Sequence, residues 1–336
     1  MNMHKWLQGL KLSAEKKPMP ILSFPCVQLL GISVKQLIAD GSMQAKGMKA
    51  IADRVDSLAS VSFMDLSLES EAFGAKIKTS DMEVPTVMGT LVNNLEEAEA
   101  LEIPSVEKGR IGIYIDGMSK ALKLIDDRPV FAGVIGPFSL TGRLVDVNKA
   151  MIYCKKNPQL LHIVLRKATD FLIEYIKEYK AIGANGIVMA EPLTGLISPR
   201  LAENFSEPYV REIADAVKSE DFLVVYHNCG NAAAKMWESI TRTGCDAYHF
   251  GNAINMKNML EQMPEDKIIM GNIDPAQQFT NGTPESIRLA TKLLLEECSS
   301  HPNFVISSGC DIPPAAKWEN IDAFFDAVKG FYNGKQ

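Results

Sequence analysis

Phe222-Leu-Val-Val-Tyr-His-Asn-Cys-Gly-Asn231 decides the fold. Its first five residues are continuously apolar or aromatic, a length that suits a strand, and the run lacks the alternation of a strand with one wet face. Such runs belong to parallel strands buried on both sides. The run stops abruptly in polar and metal-capable side chains. Seven further short apolar runs lie along the chain, at Ile21–Phe24, Val61–Leu66, Val130–Val134, Gly186–Met189, Ala247–Phe250, Ile268–Met270 and Phe304–Ser307.

Helical patterns separate these runs. Leu161–Ile182 places Leu165, Ala168, Leu172, Ile176 and Tyr179 at three-to-four spacing, and Thr283 opens a helix over Pro284–Ser299. Trp318–Phe331 puts Ile321, Phe324, Phe325 and Val328 on one face. Eight candidate strands alternating with helices predict an α/β fold, a (β/α)₈ TIM barrel. Nothing in the chain reads as a repeat or a linker, so residues 1–336 are expected to form a single domain, with the first ~20 residues as a helical lead-in. The interval from Leu66 to Pro129 must hold extra helices or a hairpin. A dinucleotide-binding fold would need Gly-x-Gly-x-x-Gly after an early strand, and Gly133-Val-Ile-Gly136 lacks that spacing.

Charge narrows the partners. With 35 Lys and Arg against 41 Asp and Glu the net charge is −6, and no basic run offers a footprint for nucleic acid. No stretch approaches the ~18 uninterrupted apolar residues of a membrane span. The amino-terminal residues lack the apolar core of a signal peptide, and the six cysteines have no framework spacing, so reduced thiols and a cytoplasmic location are expected.

Active sites of such barrels lie at the carboxyl ends of the strands. The residues found there are Glu191; His227, Asn228 and Cys229; Gly251 and Asn252; Asn272 and Asp274; and Cys310 and Asp311. His227 and Cys229, two apart on an extended chain, can point the same way. With Cys310 they make one imidazole and two thiolates, a set that suits Zn²⁺ and leaves a fourth position open, as in catalytic zinc sites. The competing reading is a core cysteine pair and a histidine satisfied by a local hydrogen bond. Asp65, at the end of the second predicted strand, either faces the site or caps the next helix. Asn272 and Asp274 either bind substrate or serve turns. Cys26, Cys154, Cys245 and Cys298 are expected in packing, and His249 has no ligand-spaced neighbour.

His227-Asn-Cys-Gly-Asn231, Ile269-Met-Gly-Asn-Ile-Asp-Pro275 and Ser307-Ser-Gly-Cys-Asp-Ile-Pro-Pro314, with Met64-Asp-Leu-Ser-Leu-Glu-Ser-Glu-Ala-Phe-Gly74 and Gly136-Pro-Phe-Ser-Leu-Thr-Gly142, give the chain a family likeness. It resembles the uroporphyrinogen decarboxylase superfamily, and within it the methylcobalamin:coenzyme M methyltransferases. The resemblance implies zinc on His227, Cys229 and Cys310. It also implies methylcobalamin, a corrinoid carried by a partner protein, as methyl donor, and a small-molecule thiol as acceptor. Asp65 and Glu191 are then the expected catalytic residues, with Glu191 also the candidate fourth ligand, and Asn252, Asn272 and Asp274 are expected to face the cofactor. A coordinating metal ionises a thiol whose pKa is near 8.5, which gives the zinc its purpose.

Two alternatives stay open. A tetrapyrrole decarboxylase would match at Asp65, but those enzymes carry an arginine-rich segment after the first strand, where this chain reads Phe24-Pro-Cys-Val-Gln-Leu-Leu-Gly31. A multiply anionic substrate would lack bidentate partners there. A non-catalytic corrinoid-binding module is the other.

Overall fold

The computed structural model describes residues 1–334. Its strands are β1 (Ser60–Val61), β2 (Lys76–Lys78), β3 (Thr86–Met88), β4 (Val130–Ile135), β5 (Gly186–Ala190), β6 (Leu223–Asn228), β7 (Ala247–Phe250), β8 (Ile268–Ile273) and β9 (Phe304–Ser308). Seven of them form one curled parallel sheet in the order β1-β4-β5-β6-β7-β8-β9, with helices between successive strands, and β2 and β3 form a separate antiparallel hairpin. The interval after Leu66 therefore holds the hairpin and helices as well, at Leu68–Ala72, Leu95–Ala100 and Ile111–Leu124. The helices expected from periodicity run over Pro158–Ala181, Pro284–Cys298 and Trp318–Asn333. The last two residues of the expected domain, Lys335 and Gln336, lie outside the described residues.

Alternation along each strand sorts side chains into two cores. Val224 and Tyr226 of β6 pack outward against the helices, whereas Leu223 and Val225 join Val188, Ala190, Ala247, Ile268, Met270 and Val305 inside the curl of the sheet. Burying each such aliphatic side chain is worth about 1.5–3 kcal/mol, so the parity of every strand is strongly fixed. The helix Met3–Leu12 covers the end from which the strands start. Its Met3 is fully buried, and the rings of Trp6 and Phe131 lie 6.0 Å apart. Site chemistry is left to the opposite end. Among the described residues no helix is long and apolar enough to cross a membrane.

Two predicted strands are corrected. Ile21–Phe24 is not a strand. The extended segment before it does bond both ways, with Met19 N donating to the Ile306 carbonyl at 3.0 Å and Leu58 N donating to the Pro18 carbonyl at 2.9 Å. Pro18 and Pro20, however, lack the N–H groups that would face β1, and Ile21 N donates to the Ser308 hydroxyl instead of a carbonyl, at 3.0 Å. Val61–Leu66 shortens to Ser60–Val61 because the ladder is diverted into a side chain: Gly133 N donates to Ser62 Oγ at 3.0 Å.

Candidate metal centre

β6 and β7 run side by side with His227 opposite His249. Continuing β6, Cys229 returns to the face of His227, two residues on. Cys310 arrives from the turn after β9. One ligand atom from each of His227, Cys229 and Cys310 falls within 4.8 Å of the others, with His227 buried and both cysteines partly exposed. His227 Nε2 stands 3.4 Å from Cys310 Sγ. A tetrahedral zinc with bonds of about 2.0 and 2.3 Å would need N–S and S–S edges of roughly 3.5–3.8 Å, so the donor set fits that ion in chemistry and in scale.

The thiols divide by environment. Cys229 is held well below the usual thiol range, chiefly by its hydrogen bond with Cys310, while Cys310 is pushed far up by the same pairing and by burial. One proton shared between two sulfurs has this consequence: the first leaves easily and the second does not. By contrast, burial pushes Cys154 up to about 11, and burial with a smaller push from the neighbouring carboxylates Asp246 and Glu297 takes Cys245 and Cys298 up to about 12. Those three, with the buried Cys26, are packing thiols.

Glycines bring the loops close. A Cβ on Gly251 would stand 2.5 Å from Cys229 Cα, and one on Gly309 would stand 2.6 Å from the backbone nitrogen of Asn252. Asn252 donates to Asp274 Oδ2 at 2.8 Å, and Asp274 Oδ1 accepts from the backbone of Ala276 and Gln277. Asn272 donates to the carbonyls of Gly251 and Ile254, at 2.9 and 2.7 Å, and so ties the end of β8 to the loop behind Cys229. Asn252 and Asp274 thus sit together at the mouth. The Asn272 side-chain N–H groups are spent on the backbone.

Neither expected carboxylate is part of the His–Cys group. Glu191 is completely buried and does not join the His–Cys group. Its Oε1 accepts from Ser139 N at 2.8 Å, and its Oε2 from the hydroxyls of Thr194 and Ser206 at 2.6 and 3.0 Å. The parity of β5 explains this: Ala190 faces inward opposite His227, so the next residue turns out toward the helices. Burial raises the Glu191 carboxyl above the ordinary range despite those bonds. Asp65 is engaged by Arg110 at 2.6 Å, by the Tyr114 hydroxyl at 2.9 Å and by the Ser67 hydroxyl at 2.6 Å. Arg110 also pairs with Glu71 at 2.7 Å.

His249 was not marked by spacing, yet its Nδ1 lies 2.8 Å from Nδ1 of His227. Burial first, then the neighbouring His227, holds it well below the usual histidine range, so it stays neutral. The signal for it is strand adjacency: both histidines follow apolar runs that pair in consecutive strands.

Comparison with known proteins gives the family and the fold. The model of the family Uroporphyrinogen decarboxylase (URO-D) matches residues 23–331. The chain is 29% identical over 276 residues to a methylcobamide:CoM methyltransferase, MtbA, of Methanosarcina mazei, covering 80% of this chain and 78% of that protein. It is 25% identical over 292 residues to a uroporphyrinogen decarboxylase of Coxiella burnetii, covering 81% and 77%. A solved structure described as a methyltransferase from Methanosarcina mazei superposes with a TM-score of 0.86 over 98% of both chains at 23% identity, a likeness of fold.

Proposed function

The chain belongs to the uroporphyrinogen decarboxylase family, and we propose that it is a zinc-dependent methyltransferase, moving a methyl group from a methylated corrinoid on a partner protein to a thiol. The observation that carries this reading is the convergence of His227, Cys229 and Cys310, from the ends of two distant strands, within 4.8 Å. The similarity to methylcobamide:CoM methyltransferases supports it. In this reading residues 1–336 are one eight-stranded barrel domain, with segment 18–21 in the place of the eighth strand, working in the cytoplasm.

Zinc held there would supply the Lewis acidity that ionises the acceptor thiol at neutral pH. His227, Cys229 and Cys310 would hold it. Asn252 and Asp274 form the polar wall that the corrinoid meets, and Asn272 acts on that wall indirectly, by fixing the Gly251 loop. In the overall reaction the acceptor sulfur gains the methyl carbon and loses its proton, and the cobalt keeps the electron pair of the broken cobalt–carbon bond. Asp65, closed in by Arg110 and Tyr114, has its oxygens committed to the protein, which speaks against a tetrapyrrole decarboxylase built on it.

Elemental analysis of wild type beside the Cys229→Ser/Cys310→Ser double variant tests the site, and thiol methylation from methylcobalamin tests the reaction. The expected result is about one zinc per chain, as for a catalytic site with three protein ligands, lost in the variant together with turnover. A reduced, chelator-free wild type without zinc would overturn the metal reading. Corrinoid binding without any methyl transfer, across a panel of thiols including coenzyme M, would make the chain a carrier.

A further inference from the structure

Ser307 Oγ lies between two partners inside the sheet. It donates to the Met19 carbonyl at 2.7 Å, and it stands 2.7 Å from Nε2 of His249. A carbonyl oxygen only accepts, and a serine hydroxyl has one proton. That proton is committed to Met19, so Ser307 presents a lone pair to His249, and His249 Nε2 must carry the hydrogen. His249 is buried, and the partners of its ring, the Ser307 hydroxyl and the His227 imidazole, offer no negative charge to balance a second proton, so a ring protonated on Nε2 leaves Nδ1 bare. Facing it at 2.8 Å is Nδ1 of His227, which must then be the donor. Only Nε2 of His227 is left as a lone pair, and it is the atom 3.4 Å from Cys310 Sγ. Each step follows from the one before, starting from a backbone carbonyl that cannot reverse its role.

We propose that His249 is a positioning residue: backed by Ser307 and the Met19 carbonyl, it fixes the tautomer and ring angle of His227 so that the Nε2 lone pair faces Cys229 and Cys310. The purpose of this arrangement rests on the metal reading above, but the tautomer is a property of the metal-free protein and can be measured there. Metal-binding histidines are usually oriented by a carboxylate, carbonyl or water on the second nitrogen. Here a carbonyl does it through two intermediaries, a serine and a second imidazole. The two rings meet edge to face, 4.6 Å between centroids and 76° between planes, and both are buried, so neither swings without the other.

The test uses ¹⁵N-labelled, metal-free, reduced protein and long-range proton–nitrogen correlation of the histidine rings, followed by zinc affinity from chelator competition. In wild type His227 Nδ1 should be protonated and Nε2 not. Ser307→Ala, which removes the acceptor of the His249 proton, should return a large share of His227 to the Nε2-protonated form. His249→Phe should do the same while keeping the ring volume. Both should weaken zinc binding roughly 10–100-fold, the range seen when such outer partners are removed. His249→Gln should recover most of that loss, because its amide oxygen accepts from His227 and its amide nitrogen donates to Ser307. A filler role would instead leave the phenylalanine variant as tight as wild type, with glutamine no better, and that result overturns the proposal. So does a wild-type His227 protonated on Nε2. A wild type with the expected tautomer but no zinc would sink the metal reading and leave the tautomer relay standing.

Discussion

Gly251 backs directly onto Cys229: a Cβ at position 251 would stand 2.5 Å from the Cys229 Cα and 2.7 Å from its Cβ. Those are main-chain and first side-chain atoms, without a flexible end that can swing aside. Gly251→Ala is therefore expected to displace Cys229, to cost about 1–3 kcal/mol as overpacking does, and to weaken zinc binding at least tenfold. Gly112→Ala, on the helix Ile111–Leu124 with open space around it, is the matched control and should be neutral or slightly stabilising. Urea denaturation and chelator competition on the pair decide the matter; equal zinc affinity in the two would refute the displacement.

Glu191→Gln should keep a full complement of zinc. Both carboxylate oxygens are occupied by Ser139, Thr194 and Ser206 on the outer side of β5, away from the sulfurs. An amide can accept from Ser139 N and donate to either hydroxyl, so the loss of stability should stay within about 1–2 kcal/mol. Zinc stoichiometry below half that of wild type would restore Glu191 as a ligand.

Arg110→Ala should be far more damaging to stability than to metal binding. It leaves the Asp65 carboxylate, whose side chain is fully buried, without its cation. Breaking a buried pair from one side typically costs about 3–5 kcal/mol, because the remaining charge has no water. Asp65→Asn removes the charge itself and should cost less. Comparable midpoints for Arg110→Ala and wild type in urea would show that the pair does not act as a buried one.

Glu69 gives the chain a pH signature. Burial pushes its carboxyl up to about 8, offset in part by the backbone N–H of Ile135, and its Oε2 has no hydrogen-bond partner. Unfolded, the group ionises near 4.3. Between those values the folded state holds a proton that the unfolded state has lost, so stability falls as pH rises through the window. The contribution is fully present below the unfolded value and gone above about 8. Glu69→Gln should abolish the slope, so the variant gains on wild type by on the order of a few kcal/mol between pH 5 and 8.5. Parallel slopes for the two proteins would contradict this.

How much of this is legible in the sequence depends on what the signal requires. Near-continuous apolar runs mark β4 to β9 because strands buried on both faces need them, and the two-residue spacing of His227 and Cys229 is enough to put them on one face. The run at Ile21–Phe24 looks the same by composition, but two prolines upstream withhold the hydrogen bonds that composition does not count. Asp65 and Glu191 were read from their places at strand ends. Their partners, Arg110, Ser139 and Ser206, lie in or at the ends of helices whose packing no local pattern fixes. No local spacing marks His249, for the same kind of reason. Its relation to His227 exists only once β6 and β7 are neighbours, and Ser307 becomes its partner only when β9 closes beside Met19.

Segment 18–21 joins the amino-terminal helix to the body of the protein and carries the Met19 carbonyl. Successive residues of an extended segment address opposite sides, so a slip of one residue would turn that carbonyl away from Ser307. The proton order along Ser307, His249 and His227 would then have nothing to anchor it, and the metal would meet an N–H where it needs an electron pair. If the centre takes zinc as proposed, a chain that packs this segment out of register would be a poor competitor for the ion, and metal loading would select molecules whose first twenty or so residues have found their place.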